Sequence, residues 1–312
     1  MKSARREFLQ NLIGGAAGIS LAPLVSGIAF ARPRPDPITV TRLSENLFVL
    51  AGAGGNVTVL SGAEGVLMVD GGLAERSADL LKLVSRTVGA AQVNVLFNTH
   101  WHWENTGSNE RLSHGGAKII AHENTKLWLG TKIWQEWCNR TYPPRSRAAL
   151  PNETFYKAGK LVFGTEPVEY GYLPQAHTDG DIYVFLPQRN VLIAGDVVSV
   201  GSYPILDYST GGWIGGLVQA TQKLIDLSDA QTRIIPGVGP LQTRADLVAE
   251  HEMLVKLQED LWQLMRKGMG VDDMIAAAPT RAFDAQWGNP ELFIANAYRG
   301  LWGHAGEMGG TV

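Results

Sequence analysis

The chain has 312 residues, 45% of them hydrophobic and 18% charged, which are ordinary proportions for a globular protein and leave enough apolar material for a sizeable core. A formal net charge of −3 argues against a nucleic-acid partner, and the single cysteine, Cys138, excludes an intrachain disulfide. No internal repeat or low-complexity tract divides the sequence, so one large domain is expected beyond any leader.

The first 31 residues read as an address. Arg5 and Arg6 precede Phe8 and Leu9, an apolar stretch broken by glycines and a proline follows, and Ala29-Phe30-Ala31 closes it. This resembles a twin-arginine export signal, with the twin-arginine machinery as partner and a periplasmic or secreted destination. The interruptions argue against a permanent transmembrane span, and no other apolar run is long enough for one. Loss of this segment removes three positive charges and one negative, leaving −5 on the rest. The expected organisation is a signal peptide at 1–31 and a single domain at 32–312.

From Ile38 to Gly72 the pattern is strand, turn, strand, turn, strand, ending in Asp70-Gly71-Gly72. Asp70 reads as a turn residue or as support for a neighbouring site. Between Glu75 and Val88 the apolar positions Ala78, Leu81, Val84 and Val88 fall at helical spacing. The run VNVLFN, 93–98, is an inner strand, and the βαβ order implies that it lies parallel to the strand before the helix.

The strand runs out into THWHWENTGSN, Thr99 to Asn109, where His100 and His102 aim to one side if the chain is extended. Neutral imidazole is the commonest metal ligand, and two on one edge need partners from elsewhere. His177, in PQAHTDGD after a strand expected at 168–173, and Asp196, at the end of NVLIAGD, supply them. Three histidines and a carboxylate at strand ends make a zinc shell.

Asn109 to Ser113 is read as a short helix, AKIIAH as a strand, and Glu123 to Trp137 as a helix carrying Trp128, Trp134 and Trp137 on one side, as core or over the site. His114 and His122 read as structural, as does Cys138. The stretch Cys138 to Thr154, with Pro143, Pro144 and Pro151, reads as a loop. Its arginines, Arg140, Arg145 and Arg147, either bind an anionic group or are merely solvated. The segment 197–216 offers Tyr203, Asp207, Tyr208 and Trp213 as pocket residues and leads into an amphipathic helix at 215–227. A packing helix at 244–267 has Thr243 as its N-cap and Asp246 three residues on. His251 and His304 carry no further signal.

THWHWENTG resembles the HxHxDH motif of the metallo-β-lactamase superfamily. AHTDGD resembles that family's second histidine segment, Gly195-Asp196 its bridging aspartate, and IPGVGP at 235–240 its final PGHGP turn. The resemblance implies an α/β fold, an αββα sandwich of two mixed sheets flanked by helices, with the metal at one sheet edge. It points to the branch of glyoxalase II and related hydrolases rather than to antibiotic-cleaving members with a cysteine ligand. His100, His102 and His177 occupy the first metal site. The second-site positions hold Glu104, Asn105 and Val238 in place of aspartate, histidine and histidine, so one metal is implied rather than two.

Zinc held by three neutral histidines lowers the pKa of bound water toward about 7. Asp196 is then a fourth ligand or orients that water, and Glu104 is the candidate general base. The expectation is an exported mononuclear Zn2+ hydrolase that attacks a small-molecule ester, thioester or amide by metal-bound hydroxide. Two alternatives stand beside it. His100, His177 and Asp196 compose the two-histidine, one-carboxylate set of non-haem Fe2+ enzymes, as in the superfamily's persulfide dioxygenases. A non-catalytic, metal-stabilised periplasmic binding protein is the other.

Overall fold

Alternation along the strands decides the architecture. In β2 (Leu47–Ala51) Leu47 and Val49 face one apolar layer while Phe48 and Leu50 face another, and in β4 (Gly65–Val69) Leu67 and Val69 separate in the same way from Val66 and Met68. A strand with apolar residues on both sides must be covered on both faces. β12 (Ile182–Leu186) and β13 (Val191–Gly195) repeat the pattern in the second half of the chain, with Ile182, Val184, Val191 and Ile193 inward and Tyr183, Leu192 and Ala194 outward.

The computed structural model describes residues 36–89 and 92–309, so the export signal read in residues 1–31 lies outside the described residues. Ile38 to Val312 forms one unit. Its first sheet has seven strands in the order β1-β2-β3-β4-β5-β6-β9, where β1 is Thr39–Arg42, β3 Val57–Gly62, β5 Val93–Phe97, β6 Lys118–His122 and β9 Glu153–Phe155. The second has five strands, β10 (Ala158–Phe163), β11 (Glu166–Tyr172), β12, β13 and β14 (Arg233–Pro236), in sequence order. Antiparallel and parallel pairs mix in both, and the expected parallel β4–β5 pair is present, with Val69 opposite Phe97.

The inner faces meet in one core, where Leu47, Val69, Phe97 and Ile120 from the first sheet join Val168, Ile182, Val184 and Ile235 from the second. Helix α1 (Ser77–Val88) covers the outer face of the first sheet through Leu80 and Val84. Two short helices follow β5, α2 (Trp103–Thr106) and α3 (Asn109–His114), and α4 (Glu123–Leu129) follows β6. The outer face of the second sheet carries α5 (Ile214–Leu227) and α6 (Arg244–Arg266), the latter closed by the expected capping box between Thr243 and Asp246. Three later helices, α7 (Val271–Ala277), α8 (Asp284–Trp287) and α9 (Glu291–Gly303), were not read from the sequence; Met274, Trp287 and Phe293 complete this layer. The αββα order is as expected.

Two local expectations are corrected. The helix expected at 123–137 ends at Leu129, because Gly130 breaks it and Ile133–Gln135 (β7) instead pairs antiparallel with Arg140–Tyr142 (β8). A mid-helix glycine costs about 1 kcal/mol, and the β-branched and aromatic pair Ile133-Trp134 suits a hairpin. Consequently Trp128, Trp134 and Trp137 share no helical face, and Trp134 stands 53% exposed. The stretch 138–154 is not a continuous loop, since it contains β8 and the beginning of β9, which lies parallel to β6.

Candidate metal centre

Four strand ends converge. β4 delivers Asp70, β5 delivers Asn98 to His102, β13 delivers Asp196 and β14 delivers the turn at Gly237. The sheets are sewn together here, since Ile182 N–H donates to Thr99 O at 2.9 Å and Asn56 N–H to Gly237 O at 2.7 Å. The approach is close enough to dictate sequence. A Cβ on Gly237 would lie 1.7 Å from Asp196 Oδ1, and one on Gly107 would lie 2.1 Å from Ala74 N, so only glycine fits either place.

His100, His102 and His177 come together as the sequence implied, buried, with one ring nitrogen of each within 4.8 Å of the others. The rings stand edge to face, their centroids 4.7 to 4.8 Å apart. Their outward hydrogen bonds set the tautomers. The Thr99 hydroxyl donates to Asp70 Oδ2 at 2.8 Å, so it accepts from His100 Nδ1 at 3.1 Å. His102 Nε2 donates to Asp207 Oδ2 at 3.1 Å, and His177 Nδ1 donates to Ile205 O at 2.7 Å. His102 Nδ1 and His177 Nε2 then face each other as acceptors 3.1 Å apart. Two lone pairs at that distance repel unless a cation lies between or beside them, so this donor set fits a divalent metal.

Burial and the neighbouring acids set the charges around the cluster in opposite directions on its two facing rings. Burial, with help from His102, pushes His177 down to about 4, which keeps it neutral and able to ligate. Burial alone would lower His102, but Asp207 and Glu104 raise it. Burial would raise Asp207, yet the bonds from His102, Thr210 and Gln135 hold it below the usual carboxylate range. Asp70 is pushed by burial up to about 7 against the donors Thr99 and Asn105, and Asp181, which accepts from Thr178, up to about 8.

The other expected residues separate. Asp196 Oδ2 lies 3.8 Å from His177 Nε2, at the edge of the three-histidine set. Glu104 Oε1 lies 3.8 Å from His102 Nδ1, on the ligating side of that ring. Asn105 turns away and donates to Asp70 Oδ2 at 3.0 Å, while Val238 is 40% exposed and has no ligating atom. His122 stays out of the cluster, stacked on Tyr172 at 4.0 Å. Cys138, half-buried, contacts Gln135 and has its thiol pushed up to about 11, chiefly by burial.

The expected pocket residues are corrected. Tyr203 and Trp213 are buried in the helix layer, stacked on Phe293 and His304, because both lie on the segment that the helices cover. Tyr208 donates to Glu136 at the hairpin. Asp207 lies behind the site and accepts at Oδ2 from His102, from Gln135 at 2.7 Å and from Thr210 at 2.7 Å, and at Oδ1 from Trp137 at 3.2 Å. Gln135 and Thr210 carried no sequence signal and Trp137 was read only as part of a helix in the core or over the site, since all three reach Asp207 only through the fold.

Two mixed sheets packed face to face, with three converging histidines at one edge, define a metal-binding αββα protein. Residues 50–250 match the Metallo-beta-lactamase superfamily, and the chain belongs to that family as a hydrolase of its fold with a three-histidine metal cluster. It is similar to a metallo-β-lactamase type 2 from Bacillus cereus, with 23% identity over 226 residues, 70% of this chain and 82% of the relative. Among solved structures, a metallo-β-lactamase from Pontibacter korlensis superposes with TM-score 0.58 at 21% identity, over 70% of this chain and 99% of that one. A stereoselective inverting sec-alkylsulfatase from Pseudomonas sp. superposes with TM-score 0.66 at 15% identity, over 84% of this chain; the match spans 50% of the sulfatase.

Proposed function

We propose that the chain is an exported, mononuclear zinc hydrolase that cleaves an ester, thioester or amide-type bond in a small molecule. The carrying observation is the convergence of three imidazoles whose ligating nitrogens face one another, while Asn105 is bonded to Asp70 and Val238 offers no donor. His100, His102 and His177 would hold the ion, with Asp196 beside His177. Zinc supplies Lewis-acid polarisation of the electrophile and acidifies water at neutral pH.

The protein's own part is positional and protolytic. Thr99, Asp207 and the Ile205 carbonyl fix the three rings. Glu104 takes a proton from the attacking water as the new carbon–oxygen bond forms, and returns it to the leaving atom as the scissile bond breaks. The Glu104 side chain is 29% exposed, so water and substrate reach it. Three clustered histidines, rather than two and a carboxylate, disfavour the iron oxygenase reading. Superfamily membership among hydrolases, with Glu104 beside the cluster, disfavours a non-catalytic binding protein.

Metal analysis of the purified protein is expected to give about one zinc per chain; two ions would overturn the mononuclear assignment. Against a panel of chromogenic esters, thioesters, sulfate esters and β-lactams, Glu104→Gln is expected to lower kcat by about 10²–10⁴ with metal content retained. Unchanged kcat would remove Glu104 from the chemistry. Export rests on Arg5-Arg6 and the apolar run after them; replacing both arginines by lysine should leave the protein inside the cell, and continued export would refute that route.

A further inference from the structure

Trp103 stands between His102 and Glu104 in sequence, and its ring carries two cations. The Arg145 guanidinium lies 4.9 Å from its centroid and that of Arg140 5.6 Å, with Arg140 also 4.7 Å from the Tyr142 ring. Tyr142 packs edge-on against both Trp103 and the buried Trp101, and Trp101 packs against His102. Arg140 sits opposite Gln135 in the β7–β8 ladder, and the Gln135 side chain lies 3.2 Å from His102 Nε2. Both guanidinium groups are thus tied to the metal-binding cluster through rigid aromatic packing and one cross-strand pair.

Neither arginine forms a side-chain ion pair among the described residues. Glu110, the acid that acts on Arg145 through space, accepts from Ser146 at 2.6 Å, and Glu136, four residues before Arg140, is engaged by Tyr208 and Arg299. Two half-buried guanidinium groups that close no ion pair, packed on the aromatic cluster next to the histidines in a net acidic chain, are an unusual arrangement. Packing over an indole steadies a guanidinium without consuming its N–H donors, which stay available to a bidentate acceptor.

We infer that Arg140 and Arg145, set against Trp103, form an oxyanion-binding station that takes a sulfate- or carboxylate-type group of the substrate beside the three-histidine cluster. The assignment of that group to the substrate rests on the hydrolase reading; the binding of an oxyanion does not. Both groups present the paired oxygens that a guanidinium edge recognises.

Titration of the purified, metal-loaded full chain with sodium sulfate and, separately, sodium acetate, at ionic strength fixed with chloride, tests the station by calorimetry and thermal shift. Saturable binding of sulfate or acetate is expected, the tighter of the two telling a tetrahedral from a planar group. Arg140→Gln and Arg145→Gln are each expected to weaken it about tenfold, and Arg145→Lys less, because charge without the fork remains. Retention of the zinc content in each variant reads out folding. His177→Ala, which disrupts the metal cluster, should leave oxyanion binding in place. No saturable binding to the wild type overturns the proposal. So does binding that survives the double glutamine variant or vanishes with His177→Ala, since the anion would then be a ligand of the metal. If no substrate is turned over, these titrations still decide the station. Where turnover exists, the double variant should lower kcat/KM for an ester bearing a remote carboxylate relative to its neutral analogue, and an unchanged ratio counts against the assignment to the substrate.

Discussion

At the scale of single residues, the site is organised by what stands behind the histidines. Asp207 is the sharpest case, because four donors, from His102, Gln135, Thr210 and Trp137, converge on its two oxygens in a fully buried pocket. Asn at 207 keeps the shape but must present an NH2 to one set of those donors, which leaves a buried donor unsatisfied and releases the tautomer of His102. Asp207→Asn is therefore expected to weaken binding of an added divalent metal such as zinc about 10–100-fold, read by competition with a chromogenic chelator; an unchanged affinity would show that His102 needs no carboxylate behind it. The ligands themselves were legible in sequence because each lies within a few residues of a strand end, as in His-Trp-His after β5. Asp207 was visible only as a polar residue in a glycine-rich segment. Its partners lie 3, 70, 72 and 105 residues away, a separation only the tertiary fold closes.

At the scale of elements, the continuous apolar runs of the inner strands and the 3.6-residue pattern of α6 made the layers readable, since a strand covered on both faces and a helix covered on one each impose their own pattern. The β7–β8 hairpin was not readable. Its strands are three residues long, Trp134 points outward, and an apolar run that short also suits a helix. Yet the hairpin closes the site, with Gln135 bonded to Asp207 and Tyr142 packed on Trp101. Gln135→Ala removes a donor to a buried carboxylate and leaves a small void, so a loss of about 1–3 kcal/mol in unfolding free energy is expected from chemical denaturation. Wild-type stability in this variant would mean that the hairpin rests on the site without anchoring to it.

At the scale of the whole molecule, the two sheets share a core away from the site, but at the site they are joined through buried polar groups whose charges need a counter-ion. His102 is raised, Asp70 is pushed up to about 7 and Asp181 up to about 8, each binding its proton more tightly in the fold than in the unfolded chain. A raised pKa contributes stability below the unfolded value that is lost as pH climbs through the folded value. Above pH 6.5 all three act in one direction. His177, depressed to about 4, acts the other way near pH 6.5, where the unfolded imidazole still holds about half a proton, but this opposing gain stays under about 0.5 kcal/mol and fades as the pH rises. Chelator-treated protein should thus lose stability from pH 6.5 to 8. A divalent cation favours the deprotonated forms and should recover most of that loss. The gap in Tm between metal-loaded and chelated protein is expected to widen by about 4 °C or more between pH 6.5 and 8, measured by circular dichroism at fixed ionic strength. A constant or narrowing gap would mean that the cation does not complete the charge balance of the sheet edge, and that the three histidines are held together by packing alone.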